Sequence, residues 1–101
     1  MRALGTVKKF KYQGEDMKMH YTVHFFNEQY IFIFENFEKK RSFKGTFNFV
    51  LENLQIEGEP VGATSFKLEL PAGGSEAVKM LSRKDAAKES KYKCSYSFSF
   101  A

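Results

Sequence analysis

Along residues 17–25 apolar and polar side chains alternate without a break: Met17, Met19, Tyr21, Val23 and Phe25 share one face, and Lys18, His20, Thr22 and His24 the other. Period two marks a strand with one buried face. Gln13-Gly14-Glu15-Asp16 before it reads as a turn, and Val7, Phe10 and Tyr12 predict an earlier hairpin strand with a bulge where their parity slips. After Asn27-Glu28-Gln29, residues 30–37 form an aromatic and β-branched run, apolar on both faces, which predicts a central position in a sheet. Past the charges at residues 38–41, Phe43, Gly45, Phe47, Phe49 and Leu51 alternate with Ser42, Lys44, Thr46, Asn48 and Val50. Leu54 and Ile56 continue with opposite parity, so a bulge near Glu52-Asn53 is expected, of the kind that lets a strand bend between two sheets.

Gly58, Pro60 and Gly62 mark a loop, and Phe66, Leu68 and Leu70 define a strand stopped by Pro71-Ala72-Gly73-Gly74. Residues 78–81 fit either a short strand or a helical turn, and residues 83–90 read as loop. The last strand is plain: Tyr92, Cys94, Tyr96, Phe98 and Phe100 point one way, and Lys93, Ser95, Ser97 and Ser99 the other. Seven to eight short strands separated by turn signals predict an all-β antiparallel sandwich. Its expected core is Met19, Tyr21, Val23, Phe25, Phe32, Phe34, Phe47, Phe49, Phe66, Leu68, Tyr96 and Phe98.

Composition agrees with that class. The 101 residues suit a single domain spanning 1–101, and 12 Phe and 5 Tyr favour the half-buried surface of a sheet. The sequence stops inside its last strand pattern, as a domain excised from a longer chain would. Its apolar runs fall far short of the roughly 20 residues that span a bilayer, and no export signal opens it. One cysteine permits no intrachain disulfide, so the expected setting is soluble, reducing and cytoplasmic.

Chemistry-bearing patterns are sparse. His20 and His24 are four apart, which on a strand separates their Cα atoms by about 13 Å, too far for one metal ion. Cys94 falls in the inward set of the last strand and reads as a structural thiol rather than a nucleophile. Ala72-Gly73-Gly74-Ser75 lacks the lysine of a phosphate-binding loop, and two Asp in the chain cannot build a calcium cage. No catalytic residue, cofactor or metal is expected, and the protein is read as not an enzyme.

The basic residues carry the functional reading. There are 16 Lys and Arg against 12 Asp and Glu, a net charge of +4, and they cluster as Lys8, Lys9 and Lys11, as Lys39, Lys40, Arg41 and Lys44, and as Arg83, Lys84, Lys88, Lys91 and Lys93. Three patches on one side of a sandwich would meet an anionic membrane or an acidic protein. Lys8, Lys9, Lys11, Lys39, Lys40, Arg41, Lys44, Arg83 and Lys84 are the candidate binding residues. The plainer alternative is a solvated face that keeps sheet edges from pairing. A docking scaffold that uses a sheet edge is the other module reading. Single-stranded nucleic acid ranks below both, because the aromatics follow core periodicity instead of forming exposed stacking platforms.

Phe25-Phe26-Asn27, Phe32-Ile33-Phe34-Glu35-Asn36 and Leu68-Glu69-Leu70-Pro71-Ala72-Gly73-Gly74 give the chain a pattern that resembles the third-domain-like sandwiches accompanying calpain-type cysteine proteases. The resemblance covers most of the chain. It implies an antiparallel sandwich acting as a regulatory or membrane-targeting module without catalysis. The acidic loops of the calcium-responsive form are missing, and calcium regulation does not follow from it.

Overall fold

The computed structural model describes residues 2–101, with side chains from Val7 onward. Eight strands follow one another: β1 (Arg2–Tyr12), β2 (Glu15–Phe26), β3 (Gln29–Asn36), β4 (Phe43–Glu52), β5 (Leu54–Ile56), β6 (Ser65–Leu70), β7 (Ser75–Arg83) and β8 (Lys91–Phe100). They form a five-stranded sheet of order β1-β2-β3-β7-β5 and a three-stranded sheet of order β6-β4-β8, every pairing antiparallel. The all-β sandwich expected from the alternation is therefore the fold.

Local chemistry explains the joints. Two-residue hairpin turns at Gln13-Gly14 and Asn27-Glu28 have positive φ at both positions, the twist that suits a tight hairpin. β1 shifts register between Lys9 and Lys11, the bulge foreseen among Val7, Phe10 and Tyr12, and Phe10 ends buried. Asn53, at φ 57°, is the hinge where the chain leaves the small sheet at β4 and enters the large one at β5. β3 lies at the centre of the large sheet, as its two apolar faces predicted. Phe32 and Phe34 fill the core, while Ile31 and Ile33 on the outer face stand between β2 and β7 residues.

The core is aromatic. Phe34 and Phe47 face each other across the layers with ring centroids 4.9 Å apart, and Phe10 joins the two sheets by edge-on contact with Phe98 at 4.9 Å. Gly45 on β4 is where the rings need room: a Cβ there would come within 2.8 Å of the Phe43 ring. Two asparagines fasten the ends. Asn36, wholly buried, donates to the carbonyls of Arg41, Leu70 and Pro71 and accepts from the Glu38 amide. Asn53 holds the β7–β8 connection through Asp85 and Lys88.

Three expectations need correction. Residues 78–81 are neither short nor helical but lie within the nine-residue β7. Its inward positions include Lys79 and Arg83, opposite Phe32 and Leu54, and these cations break the alternation a reader looks for. Their charges are answered at the margin of the core, Lys79 by Glu59 at 3.2 Å and Arg83 by Glu28 at 2.7 Å, while Arg83 Nε stays buried without a hydrogen-bond partner. Second, Phe25, Tyr96 and Phe98 occupy inward faces but are only partly buried. Third, Phe10, Met17, Phe43, Leu54, Ile56, Leu70, Leu81 and Phe100 are core residues absent from the expected set.

Candidate interaction surface

The potential reactive groups sit apart. His20 and His24 lie on the outer face of the large sheet, partly buried rather than exposed: His20 Nε2 is 3.0 Å from Glu35 Oε1, and His24 Nε2 is 3.1 Å from Thr22 Oγ1. Cys94 points inward from the other sheet, opposite Phe49, so a core layer separates it from both imidazoles. Burial pushes its thiol up to about 11, which keeps it protonated and weakly nucleophilic at neutral pH. Among the described residues no group of three His, Cys, Asp or Glu could hold a metal ion. Gly73 and Gly74 spend their amides on the carbonyls of Glu38 and Asn36, leaving that loop as a turn.

The candidate basic residues do not converge. Strand directions put the 37–42 connection, with Lys39, Lys40 and Arg41, at one end of a molecule 45 Å long, and Arg83 and Lys84 at the other. Topology therefore separates the cluster at residues 83–84 from that at 39–41, whereas Lys9 and Lys11, near the first hairpin, lie toward the same end as the 37–42 connection. Arg83 is further committed to Glu28 and to the Ala86 carbonyl. Lys44 pairs loosely with Glu69 on the outer face of the small sheet, and Lys11 with Asp16 at the first hairpin. Lys8 and Lys9 stand on β1. Lys8 reaches across the gap between the sheets, its Nζ 5.8 Å from the Tyr96 ring centroid.

That gap is the feature alternation alone did not reveal. On β4 the inward residues Phe43, Phe47 and Phe49 are buried, and on the edge strand β6 so are Phe66, Leu68 and Leu70. On β8, the opposite edge, Tyr92, Cys94, Tyr96 and Phe98 all stay partly exposed, and only Phe100 is buried. Below them Phe25 and Tyr30 on the large sheet are also partly uncovered, because no strand of the small sheet lies beyond β8. Tyr30 and Tyr92 meet edge-on at 5.0 Å and, with Val50, Lys91, Lys93 and Glu52, which faces Lys91 across the ladder, bound a depression of about 770 Å³ at the head of β8. Burial, then the neighbouring Tyr30 phenol, pushes the Tyr92 phenol up.

Charge completes the description. Neither β1 nor β8 contains an Asp or Glu, while Lys8, Lys9, Lys11, Lys91 and Lys93 all lie on them. One long flank of the sandwich thus joins an open aromatic seam to a row of cations. Lys91 and Lys93 were visible as a cluster but not as part of a site. A period-two pattern assigns faces and is silent on which strand is an edge. The acid-free composition of the two strands was the usable signal. No family model, curated protein or solved structure matches this chain.

Proposed function

We propose that this chain is a non-catalytic binding module that meets an acidic protein partner along the β1–β8 flank. The observation that carries the reading is the acid-free pair of strands bordering a half-buried aromatic row, where five lysines have no carboxylate on their own strands. Aromatic side chains supply contact area, and the cations supply attraction and register. The likeness to calpain-type accessory sandwiches supports the same class, a regulatory module with no chemistry of its own. A reducing, cytoplasmic setting belongs to this reading, since the one cysteine is held as an inert thiol.

The test compares two probes, poly-L-glutamate and vesicles rich in phosphatidylserine, at low and physiological salt. Two variants are compared with the wild type: one with Lys8, Lys9, Lys91 and Lys93 changed to Ser, the other with Lys39, Lys40 and Arg41 changed to Ser. The expected result is polyglutamate binding that weakens steeply with salt, is lost in the first variant and persists in the second. Vesicle binding that depends on residues 39–41 and ignores the flank would replace this reading with membrane attachment. Absence of binding to either probe at low salt would remove the anionic partner altogether.

A further inference from the structure

We infer that β8 accepts an extended acidic segment as a fourth strand of the small sheet. The inference rests on the acidic-partner reading and narrows it to one edge, one mode of attachment and one side-chain pattern. The four sheet edges differ sharply. β5 has three residues, and β6 has six and runs into Pro71, so neither offers a long ladder. β1 is long, but its register with β2 shifts at two places and Lys8, Lys9 and Lys11 stud it, the devices that keep an edge from pairing. β8 has ten residues, no proline and an unbroken register with β4 from Lys91 to Phe100. Among the described residues it pairs with nothing else. A regular edge of that length holds half of its backbone donors and acceptors free for another strand.

Side chains specify what that strand must carry. An added strand lies about 4.8 Å from β8, with alternate residues on each face. Its inward residues would cover Tyr92, Tyr96 and Phe98, whose partial exposure marks the missing layer, and they must be apolar. Its outward residues would stand beside Lys91 and Lys93, and Lys8 reaches the inner rim at Tyr96, so the favoured charge is negative. The occupant is therefore a segment alternating apolar residues with Asp or Glu. A second copy of the chain fits less well. Antiparallel β8–β8 pairing keeps aromatics facing aromatics, but it sets the lysines against serine or Ala101 and brings together two molecules of charge +4.

The probe is a labelled peptide of about eight alternating valine and glutamate residues, a typical strand length. In a strand the amides of all valines point to one edge and those of all glutamates to the other, because N–H direction alternates with side-chain direction. Two further peptides are N-methylated on the valine set or on the glutamate set. Strand addition requires that one methylated peptide lose binding while the other binds as the parent does, since a one-residue slip would turn the valines out to water. Changing Lys91 and Lys93 to Ser should weaken the parent peptide roughly tenfold at low salt, the loss expected of two exposed cross-strand pairs. Circular dichroism establishes that this variant is folded.

Equal binding, or equal loss, of the two methylated peptides overturns strand addition. If polyglutamate still binds through the flank lysines, the acidic-partner reading survives that failure. A parent peptide that does not bind while polyglutamate does has the same meaning. A stable dimer in sedimentation equilibrium, dissolved by Cys94→Pro, whose amide faces the open edge because the ladder to β4 alternates from the Ser42–Ala101 pair, also overturns the inference by giving the edge to a second copy.

Discussion

The two edges of the small sheet begin from the same alternation and finish differently. On β6 every inward residue is buried, and Lys79 lies over the Phe66 ring at 5.1 Å with its charge answered by Glu59. The chain after β5 returns along that side, where the Thr64 carbonyl accepts from the Phe49 amide, and Asn36 ties down the carbonyls of Leu70 and Pro71. On β8 four of the five inward residues are aromatic, the strand carries no carboxylate of its own, and Lys8, Phe10 and Tyr12 of β1 reach the seam without covering it. One side of the sandwich is closed by the chain itself and the other stays partly uncovered. Both edges need equally good hydrophobic patterning, so patterning alone does not tell a closed flank from an open one.

The sharpest way to break this contrast is a matched pair of truncations followed by urea unfolding. Phe66→Ala on the closed side should cost about 3–5 kcal/mol, and Phe98→Ala on the open side about 2 kcal/mol, because less of the ring leaves water when it packs. Equal losses would mean that the β8 seam is as well filled as the rest of the core. Asn36→Ala should cost about 3 kcal/mol, since it strips partners from several buried backbone groups that close the β6 side. Gly45 sits between the two edges, opposite Leu68 and Phe98, and Gly45→Ala should cost about 1–3 kcal/mol by displacing the Phe43 ring. A second substitution, Phe43→Leu, should recover part of that loss if the clash is the cause.

The smallest effect is alkaline. Burial raises the Cys94 thiol from 9.0 to about 11, so above pH 9 the folded state keeps a proton that the unfolded chain has lost. Its contribution to stability is complete below pH 9 and disappears as pH rises through about 11. The Tyr92 phenol, also raised, acts in the same direction. Melting temperature should therefore fall over that window, and Cys94→Ala should make the fall shallower.

Much of this architecture could be read from residue spacing. The alternation at residues 43–51 and 92–100 marked two faces correctly and the parity slip around Phe10 located a real bulge, but the slip at Glu52-Asn53 marks the Asn53 hinge between the two sheets and not a bulge. β7 resisted because Lys79 and Arg83 start from inward positions and carry their charges along the core margin to Glu59 and Glu28, a reach only long side chains permit. Phe25, Tyr96 and Phe98 were assigned to the core because facing inward was equated with being covered. The interaction surface was hardest to find for the same reason: strand order, and with it the identity of the edges, comes from long-range pairing that no local period encodes. Asn36 was visible only as one polar residue ending an apolar run, with no hint that it would be the most buried polar side chain among the described residues.

β1 and β8 run the same way along one flank, so Arg2 and Ala101 lie at opposite ends of the sandwich. Tension applied between those two residues pulls β1 along β2 and β8 along β4, and the ladder hydrogen bonds, perpendicular to the strands, are loaded together instead of being unzipped singly. The two ladders are unequal: β8 holds β4 through ten consecutive register pairs, whereas β1 grips β2 through a register interrupted twice. Under load β1 is expected to slide first, a mechanical fuse on the large sheet that leaves the β4–β8 ladder intact.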